Sequence, residues 1–283
     1  RGPTIVDYSY GLNVTYQPDG IRMLNGDDYT MFMKEAYFNP ELNDAAANLR
    51  ELNYDPMFSE YHMFNNNTDW VDAVKQFGKE HKYYITLNGG GENATFRISA
   101  GYDKSKGSII GQKLDRFTTS TALDYYVSDR IKFQSNINLT FTTNHKNYGN
   151  DILSRAYNAM PNMSIYEYDR NGLPTGNYFN MLPLAADFES GAEKTNYGEY
   201  TSYDLKDMFF NGNPVARAMK AWNKERQYNL TPQFSVEYKL LGKESDQWRL
   251  NYVGDVQLNI YNTSEDAYNP AELINMPWIN GGD

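Results

Sequence analysis

The chain has 283 residues, 26 Lys and Arg against 36 Asp and Glu, a formal net charge of -10 and no cysteine. That balance argues against a nucleic-acid partner, because phosphate backbones recruit Lys and Arg, and the missing thiols remove disulfides, thiolate metal sites and cysteine nucleophiles together. Only 40% of the residues are hydrophobic, yet 15% are aromatic, with 25 Tyr and 14 Phe, so much of the apolar content is amphipathic and suits a boundary with one greasy and one wet side.

In chain order, the abrupt opening at Arg1-Gly2, with no signal peptide, reads as a cut. It leads into a strand at about 4–16, in which Val6, Tyr8, Tyr10, Leu12, Val14 and Tyr16 alternate with Asp7, Ser9, Asn13 and Thr15. Pro18, Asp19 and Gly20 end it with turn chemistry. Asn25 before Asp27 and Asp28 has the form of a helix cap with acids in the first turn, leading into Tyr29 to Tyr37. Pro40 to Leu52 reads as a second short helix. Four alternating runs follow at 82–89, 94–102, 114–127 and 130–143. Their connections are a Gly-rich turn at Gly89 to Asn93, a longer loop at Asp103 to Lys113 and a tight turn at Ser128 to Asp129. Between 144 and 227 lie helix-like pieces at Asp151 to Met160 and Pro214 to Lys224, and a turn at Asp169-Arg170-Asn171-Gly172. Strands at 228–240 and 247–261 close the pattern before the chain trails into loop at Asn262.

For antiparallel neighbours these connections place every short turn at one end of the sheet and both long loops, 17–81 and 144–227, at the other. Connections of that length are uncommon inside a compact domain, whereas short periplasmic turns and long extracellular loops are the rule of a transmembrane barrel. The longer strands, at ~3.3 Å per residue and ~45° tilt, cross a ~30 Å hydrocarbon layer. No apolar run approaches the ~18 residues of a membrane helix, but a barrel strand needs only ~9–11 alternating residues. Seven strands leave open edges that lipid does not tolerate, so the chain is expected to belong to something larger. The fold class expected is all-β: part of a large antiparallel transmembrane β-barrel whose long extracellular loops carry short helices. Its apolar face meets lipid, and a polar face with Lys132, Gln134, Asn136 and Asn138 lines the lumen.

A series of motifs then resembles a known family. Arg1-Gly2 is similar to the end of a plug-closing "TTKRG" element; Met23 to Tyr29 and Lys34 to Tyr37 to "MLNAEEY…NEAY"; Thr68-Asp69-Trp70 with Tyr84 to Gly90 to "TDW…hnlslsGG". Phe96 to Tyr102, Lys106-Gly107, Ile110-Gly111 and Asp115-Arg116-Phe117 follow "yflSlGYlnqeGiiigsdfeRy", and Asn213 to Ala216 resembles "NPLA". In this order and spacing they resemble the front of the barrel in SusC/RagA-type TonB-dependent outer-membrane transporters of Bacteroidetes. The resemblance implies a barrel of about 22 strands around an N-terminal plug. It further implies energy from TonB through a region before Arg1, and a SusD-like surface lipoprotein that helps capture oligosaccharides or peptides. Gly26, where the family usually has Ala, and the third glycine of Gly89 to Gly91 depart from the pattern as local variation.

The residues point to no catalysis, metal or cofactor. Gly89-Gly90-Gly91 lacks the following helix that a phosphate cradle needs, and Gly242-Lys243-Glu244-Ser245 is a turn. His62, His81 and His145 share no ligand spacing and read as solvated. Asp27 and Asp28 read as a cap, and the Asn-x-Ser/Thr triplets at Asn13, Asn93, Asn138 and Asn229 as composition. The candidate binding residues are Tyr166, Tyr168, Phe179, Tyr197, Tyr203 and Trp222, aromatics that could stack on sugar faces or contact the lid partner. They could equally pack the loop against itself. Two other functions share the pattern: a passive porin or adhesin barrel, and a soluble all-β binding module.

Overall fold

The strands are set by the period-two alternation, and their pairing follows from it. The computed structural model describes residues 2–41, 49–179, 211–242, 247–270 and 273. Strands β1 (Gly2–Thr15), β2 (Gly78–Gly90), β3 (Ala94–Lys106), β4 (Lys113–Tyr126) and β5 (Ile131–Asn147) pair antiparallel, each with its sequence neighbour. A small hairpin, β6 (Tyr166–Tyr168) and β7 (Pro174–Tyr178), interrupts the second long loop. The sheet resumes with β8 (Trp222–Leu241), which pairs with β5, and ends with β9 (Leu250–Gln257) and β10 (Ile260–Tyr268), which pair with successive halves of β8. The sheet is open, with β1 at one edge.

The last two strands are one strand interrupted by chemistry. Leu258 N–H donates to the Pro232 carbonyl at 3.0 Å, but Pro232 has no N–H to return, and the ladder lapses over the two pairs between Gln233–Gln257 and Leu230–Ile260. The seventh strand therefore runs on to Tyr268 instead of trailing into loop at Asn262, and it begins at Leu250. β2, β5 and β8 likewise outrun the expected 82–89, 130–143 and 228–240. Each extension lies on the long-loop side. There both faces are polar, so the alternation disappears although the ladder bonds continue.

Register puts like with like. Tyr10, Tyr83, Tyr102, Phe117, Phe141 and Tyr228 form one row across β1, β2, β3, β4, β5 and β8. Ile131 on β5 faces Tyr238 of β8, which in turn faces Tyr252 of β9, in a row ten residues below. Ten residues at ~3.3 Å and ~40° tilt give ~25 Å, the height of the apolar band of an outer-membrane barrel between its aromatic girdles. The row between them, Leu87, Ile98, Thr121, Ile137 and Pro232, bears no charge. On the opposite face ion pairs form between neighbouring strands: Arg116 with Asp103 (3.0 Å), Lys132 with Asp124 (3.2 Å), and Lys146 with Glu225 (2.5 Å). Here Thr86 and Ser99 are buried, whereas Val6 and Tyr8 on the apolar face are 58% and 65% exposed. A chain folded in water places these the other way round.

The long loops build a core of their own. Helix α1 (Gly26–Glu41) opens as expected: the Asn25 side chain accepts from Asp28 N–H at 2.8 Å, and Asp27 N–H is held by Asn67 at 3.0 Å. Gly26 is not a neutral variation. A Cβ there would stand 1.8 Å from the Asn66 carbonyl oxygen and 2.9 Å from Asn162 Cα, so the close approach of the two loops requires glycine. The expected helix over Pro40 to Leu52 falls mostly outside the described residues. Within them, α1 reaches Glu41 and Arg50–Leu52 is a single 3-10 turn. Short helices α2 (Tyr61–Phe64), α3 (Trp70–Val74), α4 (Ile152–Tyr157) and α5 (Pro214–Lys220) pack Phe64, Trp70, Val74, Ile152, Ala156 and Val215 into one cluster. The helix expected over Pro214 to Lys224 stops at Lys220, because Ala221 turns extended and Trp222 already belongs to β8.

Candidate functional site

The hairpin β6–β7 carries three tyrosines in the second long loop, and a sequence-local device builds it. The Asp169 carboxylate accepts from Asn171 N–H (2.8 Å) and Leu173 N–H (2.9 Å), and Gly172 takes the left-handed conformation (φ 77°) that closes the turn. Those backbone donors hold the Asp169 carboxyl below the usual carboxylate range. Closure pairs Tyr166 with Tyr178, and their rings stack 5.5 Å apart at 22°. Lys220 Nζ lies 5.7 Å above the Tyr178 ring. Beside them, Glu167 accepts from the Thr175 hydroxyl (2.6 Å) and the Asn177 amide (3.0 Å), and these bonds, Thr175 first, lower its pKa. The result is a stacked aromatic pair, Tyr166 exposed and Tyr178 half-buried, with a cation and a carboxylate at hand, a combination suited to sugar faces or peptide side chains.

Below the hairpin the aromatics are structural. Phe179 is 5% exposed and meets Phe64 edge-on, with centroids 5.4 Å apart at 87°. Tyr168 is half-buried and packs on the same cluster. Asn213 ties the hairpin to the helices and uses all its hydrogen-bonding capacity. Its side-chain oxygen caps α5 by accepting from Val215 N–H (3.1 Å) and Ala216 N–H (3.0 Å), and its amide donates to the Ile165 (2.8 Å) and Phe179 (2.9 Å) carbonyls. Behind α5, Arg217 is buried against the Tyr148 ring, 5.1 Å from its centroid, and desolvation lowers its pKa. Trp70 joins the two long loops, its indole N–H donating to the Met160 carbonyl at 2.7 Å.

Of the six aromatic candidates, the structure brings Tyr166, Tyr168 and Phe179 together and leaves only Tyr166 of these three well exposed. Trp222 does not join them. It is the first residue of β8, on the outward face, with its ring 6.1 Å from Tyr268 across the strand pair. Tyr197 and Tyr203 lie outside the described residues. Tyr178 and Lys220 were missed by sequence reasoning, although a turn centred on Asp169 to Gly172 is itself the signal that Tyr166 must acquire a cross-strand partner near Tyr178. Among the described residues, no three His, Asp or Glu side chains come together as a metal site. His62 packs against Gly172 and Tyr61, while His81 shares a hydrogen bond with the Tyr10 hydroxyl at 2.9 Å on the outward face.

No protein-family model matches the chain. Among curated proteins it is similar to the TonB-dependent receptor SusC of Bacteroides thetaiotaomicron, 26% identical over 176 residues that make up 61% of this chain and 16% of that protein. It is also similar to TonB-dependent receptor P3 of Formosa agariphila, 29% identical over 112 residues, 36% of this chain and 11% of the relative. The chain thus spans only a small part of the length of these relatives. Among solved structures it superposes on the RagAB peptide transporter with a TM-score of 0.60 at 13% identity, covering 96% of this chain and 30% of that one. The open-open state of the RagAB peptide importer gives a TM-score of 0.56 at 14% identity. The structural neighbours share the fold, and the curated relatives carry the same resemblance in sequence. Together they support a SusC/RagA-type TonB-dependent transporter, with the open sheet as part of its barrel.

Proposed function

We propose that residues 1–283 are the N-terminal portion of the barrel of a TonB-energised importer in the bacterial outer membrane, with the plug preceding this portion. The whole protein takes up a bulky nutrient, an oligosaccharide or a peptide, together with a SusD-like surface lipoprotein. The observation that carries this reading is the similarity to SusC over 61% of the chain. It is supported by a sheet whose apolar residues face outward between two aromatic rows and whose inner face carries cross-strand ion pairs. The work is translocation, not catalysis, so no residue here has a chemical step to perform.

Within that reading the Tyr166–Tyr178 pair with Lys220 is the ligand- or partner-contacting surface of this segment. Phe179 and Tyr168 hold it in place, and Tyr197 and Tyr203 belong to the same loop. Trp222 serves the outer rim of the wall. The test is uptake by cells carrying the full-length protein, with and without functional TonB. TonB-dependent uptake of an oligosaccharide or peptide pool, abolished by deleting the gene, is the expected result. Uptake that persists without TonB identifies a passive porin instead, and full-length protein recovered from the aqueous phase without detergent contradicts the barrel.

A further inference from the structure

The wall carries a second ordered row, four residues beyond the aromatic one and on the same outward face. Lys79 of β2 stands opposite Lys106 of β3, which stands opposite Lys113 of β4; Lys113 faces His145 of β5, and His145 faces Lys224 of β8. Between this row and the aromatic girdle lie His81, Lys104, Asp115 and Arg226. The charges of Lys224, Lys113 and Arg226 all reach His145, opposed by that of Asp115. This is an anomaly for a chain of net charge -10. Like charges directly across a strand pair have Cβ atoms ~5 Å apart and repel, at a cost in sheet stability.

Two further observations sharpen it. On the lumen face the same strands form ion pairs, as in Lys82 with Glu80 and Lys146 with Glu225, although Arg97 forms none among the described residues. On the outward face, among the described residues, Lys79, Lys104, Lys106, Lys113 and Lys224 have no ion-pair partner. Two acids share this face: Asp115 stands opposite Lys104 and accepts from the Tyr102 hydroxyl (2.8 Å), and Asp266 stands opposite Lys224 but pairs with Arg226 (2.5 Å), whereas Lys79, Lys106 and Lys113 face no acid at all. The asymmetry is also vertical, because the outward rows at the short-turn end, with Tyr125, Phe133, Tyr238 and Tyr252, bear no charge.

Height supplies the occupant. Four residues at ~3.3 Å and ~40° tilt lift the lysine row ~10 Å above the girdle, and the intermediate row ~5 Å. Lipid headgroups occupy roughly the first 5–8 Å beyond the hydrocarbon edge, so the intermediate row lies within that zone and the lysine row just above it, from where lysine stems can lean down into it. We infer that Lys79, Lys106, Lys113 and Lys224 form a belt that binds the phosphate groups of an anionic lipid in the leaflet on the long-loop side. The inference rests on the barrel reading above. The lipid phosphates replace the missing counter-charges, and the repulsion in the row becomes lipid selectivity.

The test uses the full-length protein reconstituted into phosphatidylcholine vesicles with or without diphosphoryl lipid A, with retained lipid counted by native mass spectrometry. Wild type is expected to insert into both and to retain lipid A. The Lys79→Gln/Lys106→Gln/Lys113→Gln/Lys224→Gln variant is expected to insert equally well and to bind lipid A roughly a hundredfold more weakly. The corresponding four Lys→Arg changes should retain binding, and Lys82→Gln/Lys132→Gln on the lumen face should leave it unchanged. Insertion without preference for lipid A overturns the belt and leaves the transporter barrel standing. The same follows if the lumen-face variant loses as much binding, or if inorganic phosphate binds the detergent-solubilised protein as tightly as the lipid does. Failure of wild type to insert in either vesicle overturns both readings.

Discussion

The sheet and the loops above it partition the same amino acids in opposite senses. In the outer-loop cluster Phe64, Val74 and Ile152 are at most 2% exposed, as in any domain folded in water. In the sheet Val6, Leu12 and Val14 are more than half exposed, while Thr86 and Ser99 are buried on the other face. One chain therefore meets two solvents. The loops bury their apolar side chains against each other because water surrounds them, whereas the strands turn theirs outward because hydrocarbon does.

The contrast breaks most visibly through the loop core. Phe64→Ala should cost about 3–5 kcal/mol locally, from lost burial and a residual cavity. Hydrogen exchange should then rise across α2 to α5 and the β6–β7 hairpin, with the strand amides unchanged. Ile98→Arg should do the reverse. Ile98 lies midway between the aromatic rows, where a cation on the lipid face costs about 2–4 kcal/mol, read as a lower midpoint in urea unfolding from vesicles with the loop amides intact. A smaller loss, about 2–3 kcal/mol, is expected for Asn213→Ala. It removes the α5 cap, one of the two donors to the Ile165 carbonyl and the side-chain donor to the Phe179 carbonyl, so exchange should quicken at the hairpin and α5 together.

The smallest effect is a titration. The folded pKa of Glu167 is lowered by Thr175 and then Asn177, so the stabilisation is present above the ordinary glutamate value of about 4.3 and is lost as pH falls through the depressed folded value. Hairpin amide exchange should accelerate in that acidic window, and Glu167→Gln should flatten the dependence. The strands should show no corresponding change.

How much of this was legible follows from the same two solvents. The alternation of Tyr83, Ile85 and Leu87, or of Phe117 to Val127, is written by lipid on one side and a wet lumen on the other, so the wall and the sorting of its loops could be read directly. The alternation fails where the strands rise out of the membrane, at Lys79, Lys104 to Lys106, His145 and Lys224. Both faces are polar there, and the hydrogen-bond ladder that continues through these residues has no sequence period of its own. The motif Asn213-Pro214-Val215-Ala216 was visible, but its four hydrogen bonds to α5, Ile165 and Phe179 were not, since partners up to 48 residues apart leave no local trace.

The sequence by itself determined the secondary structure of the membrane band, the end of the sheet at which the long loops lie and the family likeness, because each depends on local pattern. Tertiary structure decided which aromatics are exposed and which are buried, why Gly26 admits no side chain, and that five basic residues from five strands stand in one row. Register alone brings residues so distant in sequence to the same height, and register is fixed by pairing across the whole sheet.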